Sequence, residues 1–435
     1  MIMIKEFLLK LKAKYLPDGS FRSNLAVISI GRISSQIIPL LITPILTRIY
    51  TPGDFGILAT FTAVVTIISL VSTGRYSLAI TLPKESKKSI ELFLISILGV
   101  VFCSVLVLLL LLFFKDQILI LLSLENNPLF ILFFPLVIFI LGSMETVYYS
   151  LLRRRDFAFI SKNFFIQTAV INILKLIFAF LWGGWFSLIL AYTIGTFLSS
   201  SLLFIRFIKK TNIREITKEV SANDLKTTAI KYKNFPLYSM LADGINSFAI
   251  ELPNILLNGL FGASITGFYS ITQRVLRLPV AFITAGMTDV YRERASSDFR
   301  EKGNCSKIYL ATLKVLTLLS FFPFLLIFLF APSLIPIVLG DQWVEVGQYI
   351  KILTPLFFFK FIAHPLGSTL YISERQKVNL FWQTGFLLCT LSSFYVGFLL
   401  RDHHLALLFY SISSAIMYII LIILGYGYSK KRKMT

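Results

Sequence analysis

Long apolar runs separated by short polar breaks dominate the chain. Twelve of them, at 24–47, 55–82, 89–114, 128–152, 157–180, 186–207, 236–258, 267–291, 307–330, 348–372, 378–400 and 404–427, reach the ~20 residues a helix needs to cross a bilayer. They are too long and too uniformly apolar for barrel strands, so helices are expected. The polar stretch 208–235 divides them six and six, as in duplicated membrane folds. An echo supports the division: Tyr50-Thr-Pro-Gly-Asp-Phe-Gly56 and Phe261-Gly-Ala-Ser-Ile-Thr-Gly267 share an aromatic residue six positions before a glycine, each at an outer turn. The expected fold class is an all-α integral membrane protein, with about twelve transmembrane helices in two six-helix lobes around a central cavity.

The expected organisation is an N-terminal amphipathic segment at 1–23, an N-lobe at 24–207, a cytoplasmic linker at 208–235, and a C-lobe with a basic tail at 236–435. In the first segment Ile4, Phe7, Leu8, Leu11 and Tyr15 share one helical face with lysines around the rest, which predicts a helix lying on the inner leaflet. In the linker, Ser221–Asp224 offers helix N-cap residues.

Composition agrees with a bilayer as solvent: 56% of the 435 residues are hydrophobic and 15% charged, with a mean hydropathy of +0.79. The net charge of +20 invites a nucleic-acid partner, but its distribution excludes one. Most of the basic residues fall in the segments on the N-terminal side of the membrane, whereas the opposite loops hold only Arg48, Lys115 and Arg401. That bias predicts a multi-pass membrane protein with both termini cytoplasmic. Cys103 and Cys389 fall within spans and Cys305 in an inner loop, so no disulfide framework and no cleavable leader are expected.

Charges inside the spans carry the functional signal, because such groups usually face a bundle interior or a wet cavity. By helical rise, Arg32 in span 1 lies roughly 12 Å deep and Arg75 in span 2 roughly 10 Å deep. Ser29, Gln36, Pro39, Thr43 and Thr47 lie three, four, seven, eleven and fifteen residues from Arg32, which makes one polar face. Arg75 lies off the stripe of Thr62, Thr66, Ser69 and Thr73 on its own span, and Glu145 is level with it as an ion-pair partner.

The second lobe repeats the theme. Asp243 and Glu251 lie on span 7, and Arg274 and Arg277 share a face of span 8. Glu251 is level with Arg274 and suits a salt bridge, while Asp243 is level with Arg32. Lys314 and Lys360 are deep enough to need a wet or paired environment, whereas Lys175 and Lys351 are near enough to an interface to snorkel. Spans 1, 2, 7 and 8 are therefore the expected cavity wall. Arg32, Arg75, Arg274, Arg277, Lys360, Gln36 and Thr43 are the expected substrate-binding residues, and Asp243 and Glu251 the ion-coupling candidates.

No phosphate loop, nucleophile elbow or zinc-ligand spacing is present. Of three histidines, His403 and His404 sit in an outer turn, which leaves no histidine-based catalytic site. The longest outer loops, 115–127 and 331–347, leave no room for a catalytic domain. No enzyme activity, cofactor or metal is expected.

The segment IPLLITPILTRIYTPGDFGILATFTAVVTIISLVSTGRYSLAITLPK resembles the opening of the polysaccharide-unit flippases, which include the O-antigen flippases of the multidrug/oligosaccharidyl-lipid/polysaccharide exporter superfamily. TGFYSITQRVLRLPVAFITAGMTDVYRERAS resembles the matching stretch of their second lobe. The resemblance implies alternating access and a positively charged lumen lined by spans 1, 2, 7 and 8. It also implies an undecaprenyl-diphosphate-linked oligosaccharide as substrate, in contact with membrane lipids. A polysaccharide polymerase and glycosyltransferases are the proteins beside which such a flippase works. The alternative reading is a cation-coupled multidrug or metabolite antiporter of the same superfamily, which would place acidic and aromatic groups in the lumen.

Overall fold

The computed structural model of the chain describes residues 21–115, 117, 128–211 and 220–430; within these, the side chains at 21–30, 32, 33, 128, 129, 278, 279, 281–286 and 289 lie outside the description. The predicted inner-leaflet segment at 1–23 thus falls almost wholly outside the described residues, as do 212–219 of the linker. The described residues are helical and contain no strand.

The N-lobe comprises α1 (Phe21–Ile49), α2 (Pro52–Ser72), the short α3 (Tyr76–Ala79), α4 (Ser86–Phe113), α5 (Phe133–Arg153), α6 (Phe157–Leu181) and α7 (Gly184–Lys210). A linker helix α8 (Ala222–Lys231) leads to the C-lobe: α9 (Met240–Phe261), α10 (Ala263–Lys302), α11 (Ser306–Leu339), α12 (Val344–Leu366), the short α13 (Ser368–Ile372), α14 (Gln376–Leu399) and α15 (His403–Ser429). Leaving out α3, α8 and α13, the long helices follow the predicted spans one for one. Eight are long and apolar enough to cross a membrane by length and composition. Helices α9 and α10, which carry Asp243, Glu251, Arg274 and Arg277, are not among these eight because their polar and charged residues lower their hydropathy.

Local chemistry explains where helices start. Thr51 caps α2 with a reciprocal box: its amide donates to Asp54 Oδ2 at 2.9 Å, Asp54 N donates back to Thr51 Oγ1, and Pro52 occupies the first turn. Ser221 and Asp224 form the same box at α8, as the linker sequence predicts.

Three predicted boundaries are corrected. Run 55–82 is not one helix: α2 ends at Ser72, and Gly74 and Arg75, both at φ 56°, turn the chain into α3. The predicted outer loop 331–347 is mostly helix, because α11 continues through Pro332 and Pro336 to Leu339 and ends at Gly340 with φ 104°. Prolines that signal a loop in water are tolerated in bundled membrane helices. The tenth run breaks after Leu366 into α12 and α13.

The end bearing the basic segments around 153–155 and 208–235 is here the basic end, and the opposite one the far end. Helix α2 makes the most extensive N-lobe contact with the other lobe, packing along α9 and α10, and α1 adds contacts with α10 and α11. At the far end the two echoed glycines interlock. A Cβ on Gly56 would lie 1.7 Å from the Ala263 carbonyl oxygen, and one on Gly267 would lie 1.8 Å from that of Pro52. Only glycine permits this backbone-to-backbone approach. The terminal carbonyl of Thr47 on α1, beyond the reach of helical donors, accepts from Gln342 Nε2 at 2.6 Å and Trp343 Nε1 at 2.8 Å across the lobes.

Candidate functional site

Between the lobes lies a cavity of about 360 Å³. Helix α1 contributes Gln36 and Pro39, and α2 contributes Phe55, Thr62 and Thr66. Lys175 comes from α6, Tyr192 from α7, Glu251 and Asn254 from α9, and Gln273, Arg274 and Arg277 from α10. Its charged lining is thus three cations and one carboxylate. Among the described residues, no carboxylate lies within 4.0 Å of Lys175, Arg274 or Arg277.

Two of the cations are set in place by neutral groups. Arg274 Nη1 donates to Thr43 Oγ1 at 2.9 Å, and that hydroxyl donates to the Pro39 carbonyl on its own helix. The guanidinium carbon sits 6.0 Å from the Phe55 ring centroid, at the limit of a cation–π contact. One donor is therefore spent on orientation, and the remaining N–H groups are available to a ligand. Lys175, 6% exposed, is set in place through its backbone: its carbonyl accepts from Tyr50 Oη at 2.8 Å, and Tyr50 also bonds Ser187 at 2.8 Å. Glu251 accepts from Asn254 Nδ2 at 3.2 Å.

A second cluster closes the basic end. Arg75 donates from Nε to Asp243 Oδ2 at 2.8 Å and from Nη1 to Glu145 Oε1 at 2.8 Å, and Ser77 Oγ donates to the same Glu145 oxygen at 3.0 Å. Arg75 thereby ties the α2–α3 turn and α5 of one lobe to α9 of the other.

The predicted residues thus part company. Gln36, Arg274, Arg277 and Glu251 line the cavity, with Thr43 directly behind Arg274. Arg75 and Asp243 do not line it; their charges are taken up in the basic-end cluster. Lys360 on α12 is not a lining residue either; its ammonium lies 5.5 Å from the Phe357 ring centroid and within electrostatic range of Arg277 and Glu251. Arg32 is on α1 one turn before Gln36, and its side chain lies outside the described residues.

One pairing is corrected: Glu251 and Arg274 share the cavity without an ion pair. Asp243 crosses the lobes to Arg75. Lys175 is missed by depth alone, which suggests snorkelling. Its signal was a polar stripe on span 5, where Thr168, Asn172 and Lys175 recur at helical spacing and Asn172 Nδ2 donates to the Thr168 carbonyl at 2.8 Å.

A family model described as "polysaccharide biosynthesis protein" matches residues 45–348, more than half of the chain. The chain belongs to this polysaccharide biosynthesis family. Among curated relatives, it is similar to the teichuronic acid biosynthesis protein TuaB of Bacillus subtilis (strain 168), 22% identical over 155 residues, or 36% of this chain and 32% of that protein. The match spans about a third of that relative's length. Among solved structures, lipid II flippase MurJ in an inward closed conformation superposes with a TM-score of 0.72 at 14% identity, covering 93% of this chain and 90% of that one. An inward-facing multidrug resistance MATE family transporter of the MOP superfamily gives 0.62 at 15% identity, with 97% of each chain covered. The polysaccharide biosynthesis family member thus has the MOP-superfamily fold: two six-helix lobes with a cavity at their interface.

Proposed function

We propose that the protein is a flippase. It carries an undecaprenyl-diphosphate-linked oligosaccharide from the cytoplasmic to the outer leaflet by alternating access, for assembly of a surface polysaccharide. The observation that supports this reading is the excess of cations without carboxylate partners in the interlobe cavity. Diphosphate oxygens match a forked guanidinium and a buried ammonium, whereas a cationic drug would meet net repulsion. The positive-inside bias orients the basic end to the cytoplasm. A cavity of about 360 Å³ has room for a diphosphate but not for a whole oligosaccharide, so the rest of the glycan enters as the lobes separate and the polyprenyl tail stays in lipid. The far-end glycine contact and the basic-end Arg75 cluster are the two closures that open in turn.

Purified protein tests the reading directly. Undecaprenyl diphosphate is expected to bind at least tenfold more tightly than undecaprenol, and equal affinities would sink the proposal. Arg274→Ala removes charge-assisted hydrogen bonds worth about 1.5–3 kcal/mol each, so it is expected to weaken diphosphate binding roughly ten- to hundredfold. Arg274→Lys is expected to fall between, since an ammonium cannot make the bidentate contact.

Glu251 and Asp243 are the acids through which an ion gradient acts in this scheme. Glu251 is the one carboxylate of the described lining, so Glu251→Gln raises the net positive charge of the cavity. The variant is expected to bind undecaprenyl diphosphate several-fold more tightly, with steeper salt dependence, and to export glycan independently of the gradient. Weaker binding by Glu251→Gln would instead show that Glu251 helps to order the cations that hold the diphosphate.

A further inference from the structure

No metal-ligand spacing is present along the chain, because short motifs detect only ligands that are neighbours in sequence. The packing of α12 against α15 brings such ligands together at the far end. Glu345, in the first turn of α12, meets His403 and His404, the first residues of α15, and one ligand atom from each lies within 4.8 Å of the others. His404 Nε2 is 2.7 Å from Glu345 Oε1, and a ring nitrogen of His403, Nδ1, shares a 2.8 Å hydrogen bond with the Tyr349 hydroxyl.

Consecutive helical residues point about 100° apart, yet these two imidazole centroids are 4.4 Å from one another. The convergence is built. Asp402 Oδ1 accepts from His404 N at 2.7 Å and Leu405 N at 3.2 Å, which sets the backbone, and the Tyr349 ring abuts both imidazoles edge-on. All three candidate ligands are half-buried, reachable from water without full desolvation.

We propose that Glu345, His403 and His404 form a divalent transition-metal site of the zinc class, with water as the fourth ligand. Two imidazoles and a carboxylate suit zinc, and a tetrahedron with bonds of about 2.0–2.2 Å sets ligand atoms roughly 3.3–3.5 Å apart. The 2.7 Å His404–Glu345 contact therefore opens and the wider separations close, within reach of half-exposed side chains. Calcium and magnesium are poor candidates, since they want more oxygen ligands than one carboxylate supplies. A helix N-terminus is an unfavourable neighbour for a cation. The Glu345 carboxylate opposes that, as does the Asp402 carboxylate, which accepts from the His404 and Leu405 amides.

The placement gives the site a consequence. Glu345 follows Trp343, whose indole donates to Thr47 of the N-lobe, so a bound metal anchors the C-lobe side of the far-end closure to α15. The proposal does not depend on the identity of the transported molecule. It is tested with full-length protein carrying a histidine-free affinity tag, stripped with EDTA and titrated with zinc by calorimetry, with zinc counted after gel filtration. One zinc per chain is expected. Glu345→Gln, His403→Ala and His404→Ala should each weaken binding at least tenfold, while His364→Ala, which removes the remaining histidine, leaves it unchanged. The near-isosteric Glu345→Gln guards against misfolding, checked by an unaltered metal-free melting temperature. The proposal is overturned if wild type retains no zinc, or retains no more than a His403→Ala/His404→Ala double variant.

Discussion

Gly56→Ala and Gly267→Ala are each expected to hold the lobes apart at the far end and to cut export roughly ten- to hundredfold. The added methyls would sit 1.7 Å from the Ala263 oxygen and 1.8 Å from the Pro52 oxygen, well inside any allowed contact. Neither neighbour yields easily, since both are backbone carbonyls at helix starts and Pro52 is locked by the Thr51–Asp54 box. Overpacking of this kind costs about 1–3 kcal/mol, and every 1.4 kcal/mol is a tenfold shift between closed and open populations. The closure can be read by cross-linking. A Cβ on Gly53 would lie 3.5 Å from Ser264 Oγ, so Gly53→Cys with Ser264→Cys, in a background lacking the native cysteines, should form a disulfide across the lobes. Adding Gly56→Ala should suppress that bond. Undiminished cross-linking together with normal export would show that the glycine contact is dispensable.

Arg75→Ala is expected to destabilise the protein more than loss of any cavity cation. Its side chain is 13% exposed and bonds both Glu145, 21% exposed, and Asp243, 41% exposed. Breaking a buried ion pair costs about 3–5 kcal/mol because the surviving charge is left alone. Here that cost falls mainly on Glu145, since water screens the more exposed Asp243. Adding Glu145→Gln and Asp243→Asn should restore the melting temperature and protein level towards wild type, since no unpaired acid remains. Recovery of export together with stability would show that Arg75 serves only to balance the two acids. Recovery of stability without export would identify the charged cluster itself as the latch. Asp243→Asn alone keeps the Arg75–Glu145 pair within the N-lobe and releases α9, so cysteines placed at the basic end should become more accessible to water-soluble reagents.

Much of this architecture was legible along the chain. Hydropathy sets the helices, because a backbone in lipid must satisfy its own hydrogen bonds. The lobe division, the caps at Thr51 and Ser221, and the polar helices α1, α2, α9 and α10 as cavity wall follow from patterns local to each segment. Even the Arg75–Glu145 pair follows from matching depths. Tertiary structure alone decided the rest. It placed Lys175 at the cavity, gave Asp243 to Arg75, set Glu251 near Arg274 without an ion pair between them, pressed Gly56 and Gly267 against the opposing backbone, and joined His403 and His404 to Glu345. Sequence spacing reports how deep a residue lies and which face of its own helix it shares. Which neighbour that face meets depends on each helix's rotation and partners, and these are settled only when side chains from distant segments pack together.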